Sequence, residues 1–399
     1  MTERVSIEKK IRVLHVQTME TVGGTETYIN RVIQTYDRAR FQMDVCATGY
    51  RSLCLVEEFE SAGSRVWRCR HSFWVWPFAL RLRRILREGR YDAVVDYSGD
   101  MAAGSMIGGL LAGVGRRVVF YRSAGVSYRP TVARRLYAWV MRLLVRRLSS
   151  FVLSNSAQSL NRFHPGKELN QGKFHVIPNG LDVGHYTERH QERRRAVRSG
   201  LGVDEDCVVI GHIGSLRPEK DHATLISAVD LIASAVPNVV VVLLGEGRLR
   251  ESIELDIEER GLGGVVRLLG FRSDSADLLQ GMDHFLFPSK FEGSPNALQE
   301  AQCAGLPIVA TDRPEMRESV PSENHDWLAA AGDAEAFASV FLRQRANPGQ
   351  TAEKASLGRR FVIERFDLGK NLERACSFYV PGGAVGSSCG RVVDEASGR

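Results

Sequence analysis

Twice along this chain, short apolar runs alternate with segments whose apolar residues recur at three- and four-residue spacing. The first series opens with IRVLHVQ at 11–17, a glycine-rich turn and the helical pattern TETYINRVIQTY. FQMDVCAT, YDAVVDY, RVVFYRS and SFVLSNS continue it as strands. The second contains CVVIGHIGS, NVVVVLLGEG, VVRLLGF, HFLFPS and LPIVATD, with ATLISAVDLIASAV and LRESIELDIEERGL as helices between them. Such alternation predicts parallel sheets covered by helices. A chain of 399 residues exceeds one ordinary core, so the expected fold class is α/β with two doubly wound domains. The predicted division is 1–188 and 189–360, with the join near IPNGLDVGHY and the charged TERHQERRR. A last helix, carrying Phe361, Val362, Phe366, Leu372 and Phe378, is expected over roughly 358–379, with 361–380 as a separate closing segment. The Gly/Ser-rich tail, 381–399, reads as disordered.

Composition removes several function classes. The seven cysteines are odd in number and lack CxxC spacing, which suits a reducing cytoplasm and offers no zinc knuckle. IRVLHVQ is too short for a signal-peptide core, and the uncharged stretch 101–115 is too short and glycine-rich to span a bilayer. The histidines are scattered and form no HExxH, so no metal is expected. The net charge of +6 is uneven: residues 1–190 hold 29 Lys and Arg against 16 Asp and Glu. A basic half suits anionic lipid or phosphorylated substrates. No nucleic-acid-binding signature accompanies it.

In doubly wound sheets, ligands bind beyond the carboxyl ends of the strands. Three loops fall there. In VGGTE, Gly23 and Gly24 let the backbone turn tightly before a helix, and Thr25 is suited to cap it. This is either an anion site or an ordinary strand–helix turn. It lacks the GxGxxG spacing of dinucleotide binders. In GHIGSLRPEKDH, Gly214 and Ser215 precede Arg217 and Lys220, two cations suited to a pyrophosphate. The bland alternative is a solvated cluster with Glu219 and Asp221. In FEGSPNALQE, Pro295 fits a first helical turn with Ser294 as its cap. Glu292 then lies in the loop and Glu300 more than a turn inside the helix. The amides of Asn296 and Ala297 can bind phosphate or hydroxyls, and Glu300 can accept from a vicinal diol. Two carboxylates around one helix start do not flank a scissile bond as a glycosidase pair must.

Taken together, E292-GSPNALQ-E300, AGLPIVATD, GSLRPEKD, VIPNGLD and the GG turn resemble the retaining GT-B glycosyltransferases of the large bacterial family four. The similarity covers most of residues 11–380. It implies two Rossmann-like domains, the first for the acceptor and the second for the nucleotide sugar, with 361–380 crossing back to the first domain. It also implies transfer from a nucleotide-diphosphate sugar to a glycan or polyprenyl-diphosphate-linked acceptor, with retention and without cofactor or metal. Carried over by position, Lys220 and Arg217 hold the diphosphate, Glu292 meets the donor sugar and Glu300 the ribose. Gly270 and Phe271 meet the base, Gly293 and Ser294 line the donor loop, and Gly23 and Gly24 face it across the cleft.

This chain departs from the family pattern in three places. Ser215 stands where the family usually has arginine. Ser98, Gly99 and Asp100 follow YDAVVDY where a histidine is frequent, so Asp100 is either a polar group near the reacting sugar or a cap on a helix over 101–111. Arg122 and Ser123 replace a second histidine. These changes leave open a catalytically silent nucleotide-sugar-binding subunit. Residues 129–147 and 71–87 place aromatic and aliphatic side chains among arginines. Such segments lie on anionic membranes, or their apolar faces belong to the core. The expected location is cytoplasmic, with the inner face of the plasma membrane as the membrane in question.

Overall fold

The computed structural model describes residues 9–19, 24–49, 55–70, 75–122, 131–186 and 191–381. Gly23 and most of the expected disordered tail lie outside the described residues. In the first unit, β1 (Ile11–Gln17), α1 (Gly24–Thr35), β2 (Phe41–Ala47), α2 (Val56–Ser61), β3 (Val66–Arg68) and α3 (Val75–Glu88) lead into β4 (Ala93–Asp96). Then come α4 (Ala103–Ala112), β5 (Arg116–Tyr121), α5 (Val132–Leu148), β6 (Phe151–Ser154), α6 (Ala157–Phe163) and β7 (Phe174–Val176). The seven strands form a parallel sheet in the order β3-β2-β1-β4-β5-β6-β7. Its two faces carry separate cores. Phe78, Leu82, Met106, Met141 and Val145 bring α3, α4 and α5 onto one face. Ile29, Val32, Phe59, Leu372 and Phe378 cover the other.

The second unit runs from α7 (Gln191–Gly200) through β8 (Val208–Ile213), α8 (His222–Ala235), β9 (Val239–Leu244), α9 (Arg250–Glu259) and β10 (Val266–Gly270). It continues with α10 (Ser275–Gly281), β11 (His284–Phe287), α11 (Asn296–Cys303), β12 (Ile308–Thr311), α12 (Pro314–Arg317) and β13 (Leu328–Ala329). α13 (Ala334–Ala346), α14 (Pro348–Phe366) and α15 (Leu368–Ser377) close the chain. The sheet is again parallel, in the order β10-β9-β8-β11-β12-β13. β9 is buried at every position, as expected of a central parallel strand covered on both faces. β3, β7 and β13 have no sequence signal, because two or three residues show no period.

The expected single last helix is two helices. At Asp367 the backbone leaves helical geometry, and the Asp367 side chain caps α15 by accepting from the Lys370 amide at 2.8 Å. Leu181, in the linker between the units, pairs with this break: its N–H donates to Phe366 O at 2.7 Å and its carbonyl accepts from Leu368 N at 2.9 Å. Gly180 must be glycine there, since a Cβ would lie 2.7 Å from Leu368 Cα. Past the break, Leu372, Ala375 and Phe378 pack into the core of the first unit. Among the described residues, no helix is long and apolar enough to cross a membrane.

Candidate functional site

The site is assembled from loops at the carboxyl ends of β8, β9, β10 and β11. After β8 the chain passes through Gly214, Ser215 and Leu216 into a 3-10 turn, Pro218–Lys220. Gly214 N donates to Leu244 O at 2.9 Å, and Gly245 approaches so closely that a Cβ there would lie 2.0 Å from Gly214 O. Asp221 then takes a left-handed backbone, φ 53°. Its carboxylate accepts from Thr224 Oγ1 at 2.7 Å and pairs with Lys290 Nζ at 2.8 Å. Lys290 N also donates to Glu219 O at 2.8 Å. These contacts tie the Lys220 loop to the Glu292 loop. Asp221 entered the sequence reading only as part of a solvated cluster and Lys290 had no role in it, since their meeting depends on strand order.

Lys220 and Glu292 are brought together. Lys220 Nζ lies 2.5 Å from Glu292 Oε1 and 5.0 Å from the centre of the Phe287 ring. Arg217 is exposed, and among the described residues its guanidinium has no ion-pair partner. A lysine held by a carboxylate, beside a free arginine and a helix N-terminus, is a site to which an anion can be exchanged in.

In the donor loop two expectations are corrected. α11 begins at Asn296, and Pro295 occupies the cap position with ψ 73° and no side-chain cap bond. Ser294 does not cap: its Oγ accepts from Gln299 Nε2 at 3.2 Å. Asn296 is exposed, but its amide is not the free donor expected: it donates to Ser294 O at 2.9 Å, and Ala297 is half-buried in the first turn. Glu300 is half-buried on the same helix, and its carboxyl is pushed up to about 7 by burial, with Arg31 of the first unit pulling it back. Arg31 also donates to Gly180 O at 3.3 Å. At the far end, a bulge at the end of β10 sets Gly270 at φ 70°, where a Cβ would meet Glu246 Oε1 at 2.7 Å. Phe271 beyond it is 78% exposed, an open aromatic face.

Across the cleft, Gly24 is the exposed first residue of α1. Arg122 Nη2 donates to Asn179 Oδ1 at 2.6 Å, and Asn179 Nδ2 donates to Asn296 Oδ1 at 2.8 Å. The Arg122 guanidinium stacks 3.6 Å from the Tyr28 ring centre, and its Nε and Nη1 are buried without partners among the described residues. Glu318 accepts from the Ala157 amide at the start of α6, at 2.9 Å. A narrow pocket between the units is lined by Asn155, Ser156, Gly293, Ser294 and Glu318. Asn179 lies in the quoted VIPNG stretch, which was the available signal for it. Arg31 had none.

Contrary to one of the two expectations, Asp100 does not cap the helix. A 3-10 turn, Gly99–Ala102, precedes α4, and no side chain caps that helix. The Asp100 carboxylate is instead clamped by Arg142 through Nη2 at 2.6 Å and Nε at 3.1 Å, and accepts from Tyr121 Oη at 2.8 Å. Both oxygens are engaged, so it presents no free base. Asp100→Asn is expected to keep kcat within about threefold, since it would remove no group acting on the reacting atoms. A loss of a hundredfold or more in steady-state assays would restore it to the catalytic set.

Two doubly wound parallel-sheet units meeting through their strand-end loops have the GT-B architecture. HepE of Anabaena, solved in complex with UDP, has the same fold: TM-score 0.79 at 21% identity, over 92% of this chain and 98% of that one. The model described as glycosyl transferases group 1 matches residues 207–346, and that of the glycosyl transferase 4-like domain matches 23–180. The chain belongs to the group 1 glycosyltransferases. It is 22% identical to the UDP-Gal:α-D-GlcNAc-diphosphoundecaprenol α-1,3-galactosyltransferase of Escherichia coli, over 94% of this chain and 98% of that protein. It is 23% identical to the capsular polysaccharide biosynthesis glycosyltransferase CapH of Staphylococcus aureus, over 77% and 83% respectively.

Proposed function

We propose that this glycosyltransferase moves a sugar from a nucleotide-diphosphate sugar to a glycan or polyprenyl-diphosphate-linked acceptor, with retention, in bacterial cell-surface polysaccharide synthesis. The observation that carries this reading is the Lys220–Glu292 pair at the mouth of the β8 loop, next to the open start of α11. The relatives' activities point the same way. Residues 1–188 hold the acceptor and 189–360 the donor, at the cytoplasmic face of the membrane. A diphosphate competes with Glu292 for Lys220 and recruits Arg217. Glu292, once released, meets the donor sugar. Phe271 and the Gly270 backbone receive the base, and Glu300 accepts from the ribose hydroxyls. The acceptor hydroxyl attacks the anomeric carbon on the face the diphosphate leaves, and its proton passes to the departing phosphate oxygen. Charge on that oxygen is stabilised by Lys220, Arg217 and the α11 amides, so no protein nucleophile is required.

Glu300 supplies the test. Burial disfavours its charged form, so the free protein is destabilised by this group as pH rises from the ordinary carboxyl range toward about 7. Ribose hydroxyls donate to the carboxylate, so donor binding favours ionisation. Donor affinity is therefore expected to fall by up to roughly tenfold per pH unit below 7. Glu300→Gln should abolish that dependence and weaken binding at pH 8. Calorimetry with purified nucleotide sugars reads both. A pH-independent wild type would remove Glu300 from the ribose site.

A further inference from the structure

The α3–α4–α5 layer has an outer surface that the fold does not use. α5 buries only Met141 and Val145. On the opposite side, Val132, Leu136, Trp139, Val140 and Leu143 follow one another at three- and four-residue spacing and stand exposed, Val132 at 82% and Trp139 at 60%. On α3, Trp76 at 62% and Leu80 are exposed in the same way, while Phe78, Leu82 and Leu86 face the core. α4 packs between the two helices. Its end joins the surface through the exposed Leu110 and Leu111, whose Leu111 carbonyl accepts from Arg83 and Arg87 of α3.

We propose that this surface docks on an anionic lipid bilayer. Two properties select that occupant. An apolar stripe with tryptophan at its centre suits the boundary between headgroups and acyl chains, where an aromatic ring can lie half-immersed. The charge around it is almost entirely positive. Arg135 and Arg146 flank the stripe on α5 and Arg147 lies within it, while Arg84 and Arg87 share the outward face of α3. Glu88 is the only acidic residue on either helix and is already paired with Arg65 at 3.6 Å. A second copy of the chain is disfavoured, because a twofold contact would set this surface against the same arginines.

Position gives the surface a consequence. In a parallel strand–helix unit, a helix starts at the carboxyl end of the strand before it. Trp76 and Val132, at the starts of α3 and α5, therefore lie at the cleft edge of the first unit. Docked there, the cleft would open beside the bilayer. This last point rests on the lipid-linked acceptor proposed above; the docking itself does not.

Cosedimentation of the full chain with vesicles of phosphatidylcholine and phosphatidylglycerol in equal parts tests it, with phosphatidylcholine vesicles as control. The wild type is expected to pellet with the anionic vesicles alone and to be released by high salt. Trp76→Ala with Trp139→Ala should weaken binding roughly tenfold or more through lost apolar contact. Arg135→Gln, Arg146→Gln and Arg147→Gln together should weaken it on the order of a hundredfold, near fivefold per charge. Circular dichroism and nucleotide-induced thermal shift should be unchanged in both. Wild type that stays in the supernatant, or variants that pellet as wild type does, would overturn the proposal. So would a solution dimer dissolved by Trp139→Ala. No substrate enters the assay, so its failure leaves the transferase reading standing.

Discussion

Lys220→Ala is expected to lower kcat by on the order of a thousandfold or more while leaving the protein folded. The lysine is paired with Glu292 in the loop that leads into α11, and charge builds on the departing diphosphate as the anomeric bond breaks. Removing it leaves Arg217, which is exposed and, among the described residues, has no ion-pair partner holding it in place. The stability effect should be moderate. The Lys220 and Glu292 side chains are only 19% and 12% exposed, so removing the lysine leaves a largely buried carboxylate unpaired, at about 1–3 kcal/mol. The thermal unfolding midpoint of the purified variant should therefore fall by several degrees. Lys220→Ala with Glu292→Gln should recover that shift without recovering turnover. Full activity of Lys220→Ala against a purified donor would sink the assignment. Donor binding by the wild type without hydrolysis or transfer to any acceptor would favour the silent-binder reading instead.

Arg198→Ala should do the reverse, with a large loss of stability and little effect on chemistry. Arg198 is 2% exposed. Its Nη1 donates to Gly281 O at 3.1 Å and to Asp283 Oδ2 at 3.2 Å, and its Nη2 donates to Asp204 O at 2.6 Å and Cys207 O at 2.5 Å. One guanidinium thus joins α7, the loop before β8 and the turn before β11. Removal leaves buried carbonyls unpartnered and opens a cavity, at about 3–5 kcal/mol. The melting temperature should fall by on the order of 10 °C. Well below that midpoint, kcat should stay within about twofold of wild type. An unchanged melting curve would show that this network does not hold the second unit together. With Lys220→Ala, the pair separates a residue that acts on substrate from one that holds the scaffold.

Much of the scaffold is legible in the chain because its signals are local. Apolar runs such as VVVVLL and helical stretches such as ATLISAV betray their state within ten residues. The loops that follow strands could be named as candidate sites because ligands in doubly wound sheets bind beyond strand ends. Where reading failed, the deciding forces came from elsewhere. Ser294 looks like a cap, but Pro295 stays out of helical geometry and the serine is turned to Gln299. Asp100 looks like a cap or a polar group near the reacting sugar, and only the approach of α5 shows that Arg142 holds it. The last helix looks continuous, because the strand-like pairing of Leu181 with Asp367 joins positions far apart in the chain. Gly23 remains a sequence expectation.

By itself, then, the sequence determined two doubly wound units, the loops that could meet a ligand and the residue types available in them. Helix and strand periods and the backbone demands of glycine and proline act over a few residues, so they can be read in one dimension. The tertiary structure decided which of those groups meet. Lys220 faces Glu292 because β8 and β11 are neighbours in the sheet. Arg122, Asn179 and Asn296 form one chain of hydrogen bonds because the two units close on each other. Trp139 lies open because the apolar demand of α5 is already met by Met141 and Val145 on its other side. Each of these depends on strand order and packing between distant segments, and no local pattern contains it.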